Sequence, residues 1–197
     1  MNDTSRFNKI ILCSGHMIDQ PNRKEPRFPP YKETVIQQQI AEQLKVWGIG
    51  AGDLAICGGA QGADLLFAEC CVALGAQVYL LIALPEDEFL RRSVRLQGAD
   101  WESRYLEVAK KSNVSKFFQK DFLKDFSPEL NTIDNVFARN NLWMLHTAHD
   151  AVGTGGLFAI LVWDEKETGD GPGGTSDFEQ RIRSSHGQIA VINPTKL

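Results

Sequence analysis

The stretch LAICGGAQGADLLFAECCVALGAQVYLLIAL, Leu54 to Leu84, decides the fold. It opens with a short apolar run, Leu54–Gly58, crosses a glycine-rich loop and enters a helix-forming segment, Ala63–Gly75, that glycine stops. A second apolar run, Gln77–Leu84, follows at once. Apart from Gln77, both runs are continuously apolar rather than alternating, as strands covered on both faces are. Strand, helix and strand in this order predict a parallel βαβ unit.

The same rhythm holds on either side. Lys9–Ser14 (KIILCS), Lys116–Phe118 (KFF), Leu157–Trp163 (LFAILVW) and Gln188–Asn193 (QIAVIN) read as further strands. Between them, Lys32–Gly48 places Val35, Ile36, Ile40, Leu44 and Trp47 on one helical face. Asp87–Leu96 and Asp100–Ser112 form a broken helical pair, Asn135–Val152 a longer helix, and Thr175–Gly187 closes the series. The expectation is an α/β three-layer sandwich, one domain over residues 1–197, with a mainly parallel sheet of five to six strands and helices on both faces. One connection breaks the rhythm. Gly15–Tyr31 carries four prolines and far exceeds the roughly two to six residues usual for such loops. It reads either as a lid over the strand ends or as an irregular surface loop.

Composition narrows the function. At 43% hydrophobic and 23% charged residues the chain has the balance of a soluble globular protein. A net charge of −4 argues against a nucleic-acid surface, which carries a basic excess. Cys13, Cys57, Cys70 and Cys71 form no C-x-x-C pair, so they read as reduced, buried thiols of a cytoplasmic protein. The first residues lack signal-peptide architecture, and no apolar run approaches the ~20 residues that span a bilayer, so no membrane partner is expected.

Ligands of open α/β sheets bind beyond the carboxyl ends of the strands. Three glycine-bearing stretches follow strands here: Cys13–His16 (CSGH), Cys57–Asp64 (CGGAQGAD) and Gly169–Asp177 (GDGPGGTSD). The last two lead into helices, whose free N–H groups and dipole favour an anion. Glycine lets a phosphate approach the backbone closely. The candidate phosphate- and nucleotide-binding residues are therefore Ser14, Gly15, Gly58, Gly59, Gly62, Asp64, Gly173, Gly174 and Thr175. Asp64 reads either as a ribose ligand or as a helix cap. Neither a Walker A sequence nor a G-x-G-x-x-G fingerprint is present.

CGGAQGADLLFAE resembles the glycine loop of Rossmann-like proteins of the SLOG superfamily, which includes the DNA-processing protein A relatives. GPGGTSDFE resembles the PGGxGTxxE motif of that superfamily's LOG branch, formerly called possible lysine decarboxylases, which removes the base from nucleoside 5′-monophosphates. Pro172, Gly173 and Gly174 stand at the PGG, while Ser176 and Asp177 replace the Gly-Thr. The resemblance implies a Rossmann-like fold, a nucleotide or nucleotide-derived ligand, and a homodimer formed by helices bordering the site. It implies Arg139 and Glu179 as a catalytic pair if the chain hydrolyses an N-glycosidic bond, a carboxylate there stabilising an oxocarbenium-like transition state or activating water. Glu179 reads equally as an acidic residue in a helix's first turn, and Arg139 as a partner of Asp134 or Asn135.

Other residues carry less specific signals. His146, His149 and Asp150 share a helix face but lack a further ligand in the sequence, so neither a metal nor another cofactor is expected. His16 reads as a base-stacking or acid–base residue or as a loop histidine facing water, and Asp164 as a polar strand end or a substrate-contacting acid. Arg91, Arg92, Arg95, Trp101 and Arg104 cover either a nucleotide or solvent, and the Phe-rich Lys116–Phe126 reads as a packing or interface segment. The first expectation is a domain that binds a nucleotide or nucleotide-derived ligand. The alternatives are a phosphoribohydrolase-type N-glycosidase and a protein-interaction module with a decayed pocket.

Overall fold

The computed structural model describes residues 7–95, 99–152, 155–166 and 174–197. Among the described residues six strands form one sheet: β1 (Ile10–Gly15), β2 (Leu54–Cys57), β3 (Gln77–Ile82), β4 (Val114–Phe118), β5 (Leu157–Val162) and β6 (Gln188–Ile192). Every pairing is parallel and the order is β4-β3-β2-β1-β5-β6. The helices are α1 (Glu33–Val46), α2 (Ala63–Ala73), α3 (Glu86–Phe89), α4 (Ala99–Ala109), α5 (Gln119–Phe122), α6 (Pro128–Asn131), α7 (Val136–Ala151) and α8 (Thr175–Ser184). This is a Rossmann-like α/β sandwich, as the alternation of runs predicts.

Continuous apolarity of the strands follows from their two covered faces. Ile11, Cys13, Ala55, Cys57, Val78 and Leu80 join a core with Ile36, Ile40 and Leu44 of α1, Leu65 and Leu66 of α2 and Tyr105 of α4. Their neighbours Ile10, Leu12, Leu54, Ile56 and Leu81 point the other way. They meet Leu142, Trp143 and Leu145 of α7 and Phe178 and Ile182 of α8. The Phe-rich segment belongs to this second layer. Phe117, Phe122, Trp143 and Phe126 follow one another in ring contacts with centroids 6.0, 5.3 and 5.5 Å apart.

From β1 the chain steps outward through β2, β3 and β4, then returns to lay β5 on the other side of β1. The strand order therefore reverses between β1 and β5, and a crevice opens at their carboxyl ends. There Gly15 lies so close to β5 that a Cβ would stand 2.5 Å from the Val162 carbonyl oxygen. Only glycine fits. The backbone pairing continues past the strand, with His16 N–H donating to Val162 O at 2.8 Å.

A helical segment after β3 departs from the α-helical expectation. Leu90–Val94 (LRRSV) is a π-helical turn following α3, a form that is rare and concentrates at functional sites. No helix among the described residues is long and apolar enough to cross a membrane. All four cysteines are buried and free.

Candidate functional site

A cavity of about 530 Å³ opens at the carboxyl ends of β1, β2 and β3. It reaches from the switch point to the π-helical turn, with α7 as one wall. Of the residues singled out from sequence, Ser14, Gly15, Gly58, Asp64, Gly174 and Thr175 line it. Gly59 and Gly62 shape the loop behind without lining it, and Gly173 lies outside the described residues. Gly62 has φ +87°, and a Cβ there would meet His16 O and Ile18 N, each at 2.8 Å. The loop after β2 can nest against the loop after β1 only with glycine at this position.

Two helices begin at the cavity. Gly62 caps α2 and Gly174 caps α8, and neither helix start has a side-chain cap. At α2 the backbone itself takes up part of the first turn, Ala63 N–H donating to His16 O at 3.2 Å and Leu65 N–H to Ala60 O at 3.1 Å, and the positive end of each helix dipole lies at the cavity. Asp64, in the first turn of α2, turns its carboxylate back to accept from Ala60 N–H at 3.3 Å, closing the glycine loop. Burial pushes its carboxyl up to about 7, against smaller opposing contributions from the Ala60 and Gly58 N–H groups. Cys13 also lines the cavity, but burial and then the charge of Asp64 raise its thiol well above the ordinary range. A raised thiol holds less of the thiolate, which is the nucleophilic form.

The proline-bearing loop after β1 forms the far wall through His16, Met17, Ile18, Gln20, Arg23 and Arg27. It has no regular structure between His16 and Pro29, yet it is anchored. Asp19 Oδ2 accepts from the backbone N–H groups of Arg27 at 2.8 Å and Phe28 at 2.9 Å, and the Phe28 and Ile18 side chains are buried. Asp164, just past β5, makes the second anchor. Its carboxylate receives Arg27 Nε and Nη2, both at 3.2 Å, and stands 3.1 Å from His16 Nε2. The burial of Asp164 works to raise its pKa, but the hydrogen bonds and charges of Arg27 and His16 outweigh it and hold the carboxyl at about 2. His16 is thus buried and tied to the end of β5 rather than facing water. Asp164 holds two lining residues without lining the cavity itself.

The α7 wall consists of Phe137, Asn140, Asn141 and Met144, spaced i, i+3, i+4 and i+7, which is one helical face. Arg139 lies off that face, and its Nε donates to Gln119 Oε1 at 2.8 Å. Glu179 stands one turn along α8 from Thr175, where its Oε1 accepts from Arg183 Nε at 3.1 Å and Nη2 at 2.6 Å. Neither Arg139 nor Glu179 lines the cavity, and no contact joins them among the described residues. Asp177 likewise pairs along its own helix with Arg181. Of Arg91, Arg92, Arg95, Trp101 and Arg104 on the helical pair after β3, Arg92 alone lines the cavity. Arg95 pairs with Glu102, and Arg104 bridges Glu33 and Glu69 while lying 4.2 Å from the Trp101 ring centroid. Among the described residues no three His, Cys, Asp or Glu side chains converge as metal ligands.

Sequence reasoning passed over Arg23, Arg27, Phe137, Asn141 and Met144. The α7 residues were detectable, because once one end of that helix is placed at the cleft its 3.6-residue period names the rest. The arginines sit in a segment with no periodicity to place them. Compared with protein-family models, curated proteins and solved structures, the chain matches none.

Proposed function

We propose that the chain binds a nucleotide or nucleotide-derived ligand in this cavity, as a ligand-binding member of the SLOG superfamily. One observation carries the reading: the cavity at the β1/β5 switch point receives two helix starts without side-chain caps, and Arg23, Arg27 and Arg92 line it. Helix starts and arginines are complementary to phosphate, and Ser14, Ser93 and Asn141 add hydroxyl and amide groups. The volume lies within the range of small-molecule and cofactor sites. Free, buried thiols accord with a reducing, cytoplasmic setting, and a homodimer through the helices around the site completes the reading.

Binding rather than turnover is the proposal, because Arg139 and Glu179 are engaged with Gln119 and Arg183 away from the cavity. The test is thermal-shift screening and calorimetric titration with the mono-, di- and triphosphates of the four ribonucleosides, with chromatography for released base on every hit. Saturable binding without release supports the proposal. Release that Glu179→Gln abolishes replaces it with an N-glycosidase, and no binding by any of the panel overturns it.

A further inference from the structure

Arg92 and Phe137 come from distant parts of the chain and meet at the cavity, with the guanidinium carbon 5.6 Å from the Phe137 ring centroid. Phe137 is 40% exposed although it is a large aromatic residue on a helix whose other apolar residues are largely buried. Its backbone is fixed. Asn135 Oδ1 accepts from the N–H groups of Phe137 at 3.0 Å and Ala138 at 3.1 Å, a side-chain cap that locks the first turn of α7. Arg92 is equally placed by its surroundings. It sits on the π-helical turn, where Leu90 and Val94 are buried and Ser93 O accepts from Gln61 N–H at 2.9 Å. Its guanidinium is steadied by Glu88 at 3.0 Å.

A planar cation over an aromatic ring, both on rigid backbone and both open to one cavity, forms a platform with a π-face to offer. Arginine planes and aromatic rings are what unstacked bases lie against. Resting on the nucleotide-binding proposal above, we infer that Arg92 and Phe137 are the base-stacking subsite of the cavity, and that the ligand carries a heteroaromatic ring at this end. The α2 and α8 starts and the arginines of the β1 loop then receive the phosphate end. Met144, Phe89 and Ala83, which also line the cavity, supply the apolar floor that such a ring needs.

The test compares Phe137→Ala and Arg92→Ala with the unaltered chain in calorimetric titrations. The probes are the tightest-binding ribonucleotide of the panel and ribose 5-phosphate, which has the phosphate and sugar but no base. Stacking predicts that each substitution weakens the nucleotide by about tenfold and leaves ribose 5-phosphate within twofold. Phe137→Trp, which keeps and enlarges the π-face, restores or exceeds the original nucleotide affinity. Equal losses for both probes, or no loss for either, overturn the stacking subsite while nucleotide binding stands. Failure of the unaltered chain to bind any nucleotide overturns the subsite and the function together.

Discussion

Two loops of opposite construction meet at the cavity. The loop after β2, Gly58 to Gly62, is short and is shaped by glycines that allow the backbone to fold against its neighbour. The loop after β1 runs from His16 to Pro29 and is held by buried carboxylates, Asp19 within it and Asp164 beyond β5. One is positioned by the absence of side chains and the other by charge. The first leaves no room for a Cβ at Gly62, and the second depends on its two anions.

The largest effect should therefore fall on the glycine construction. Gly15→Ala sets a methyl 2.5 Å from a backbone oxygen, and Gly62→Ala combines φ +87° with two backbone contacts at 2.8 Å. Each should destabilise the fold by about 3 kcal/mol, read as a lowered urea midpoint. For Gly62→Ala a loss below about 1 kcal/mol would show that the two loops can slide apart and would break the comparison. Next comes Asp164→Asn, which leaves Arg27 and His16 without their anion. A loss of about 2 kcal/mol is expected, together with faster proteolysis between His16 and Pro29. Proteolysis unchanged from the original would place the anchoring elsewhere, on Asp19 alone.

Asp64, which lines the cavity, and Asp164, which anchors its far wall, should also answer pH in opposite directions. Asp64 titrates at about 7 in the fold against an ordinary 3.8, so its contribution to stability is complete below about 3.8 and is lost as pH rises towards 7. Asp164 titrates at about 2, so its contribution is present above about 3.8 and is lost as pH falls through 2. In urea titrations across pH 4 to 8, the stability of the unaltered chain relative to Asp64→Asn should fall as pH rises. A flat difference would mean that Asp64 is solvated in the cavity and that the contrast between the carboxylates is false. The smallest effect belongs to Glu179→Gln, which breaks a helix-surface pair with Arg183. It should cost a few tenths of a kcal/mol and leave nucleotide affinity unchanged by calorimetry.

How much of this was legible in sequence follows from the range of the interactions. Strands and long helices are local patterns, and LAIC, LFAILV and all of QVYLLI after its glutamine announce two covered faces by being continuously apolar. Short helices such as Gln119–Phe122 and Pro128–Asn131 span too little chain to show a period and are set by the rings around Trp143. The π-helical turn has the composition of an ordinary helix, so LRRSV carries no mark of it. The glycine loops were readable as a kind of site because backbone approach demands glycine. The link of His16 and Arg27 to Asp164 was not, since no local pattern connects residues 148 and 137 positions apart.

That separation has a consequence for how the molecule comes into being. β1 lies between β2 and β5: β2 can pair with it early, whereas β5 is synthesised more than a hundred residues later. Contacts that close so large a loop form late and slowly. While the chain emerges, the inner edge of β1 stays open and the first loop has no Asp164 to grip it. The pocket wall made by the first loop therefore depends on a strand pairing and an anchor that exist only once β5 has been made.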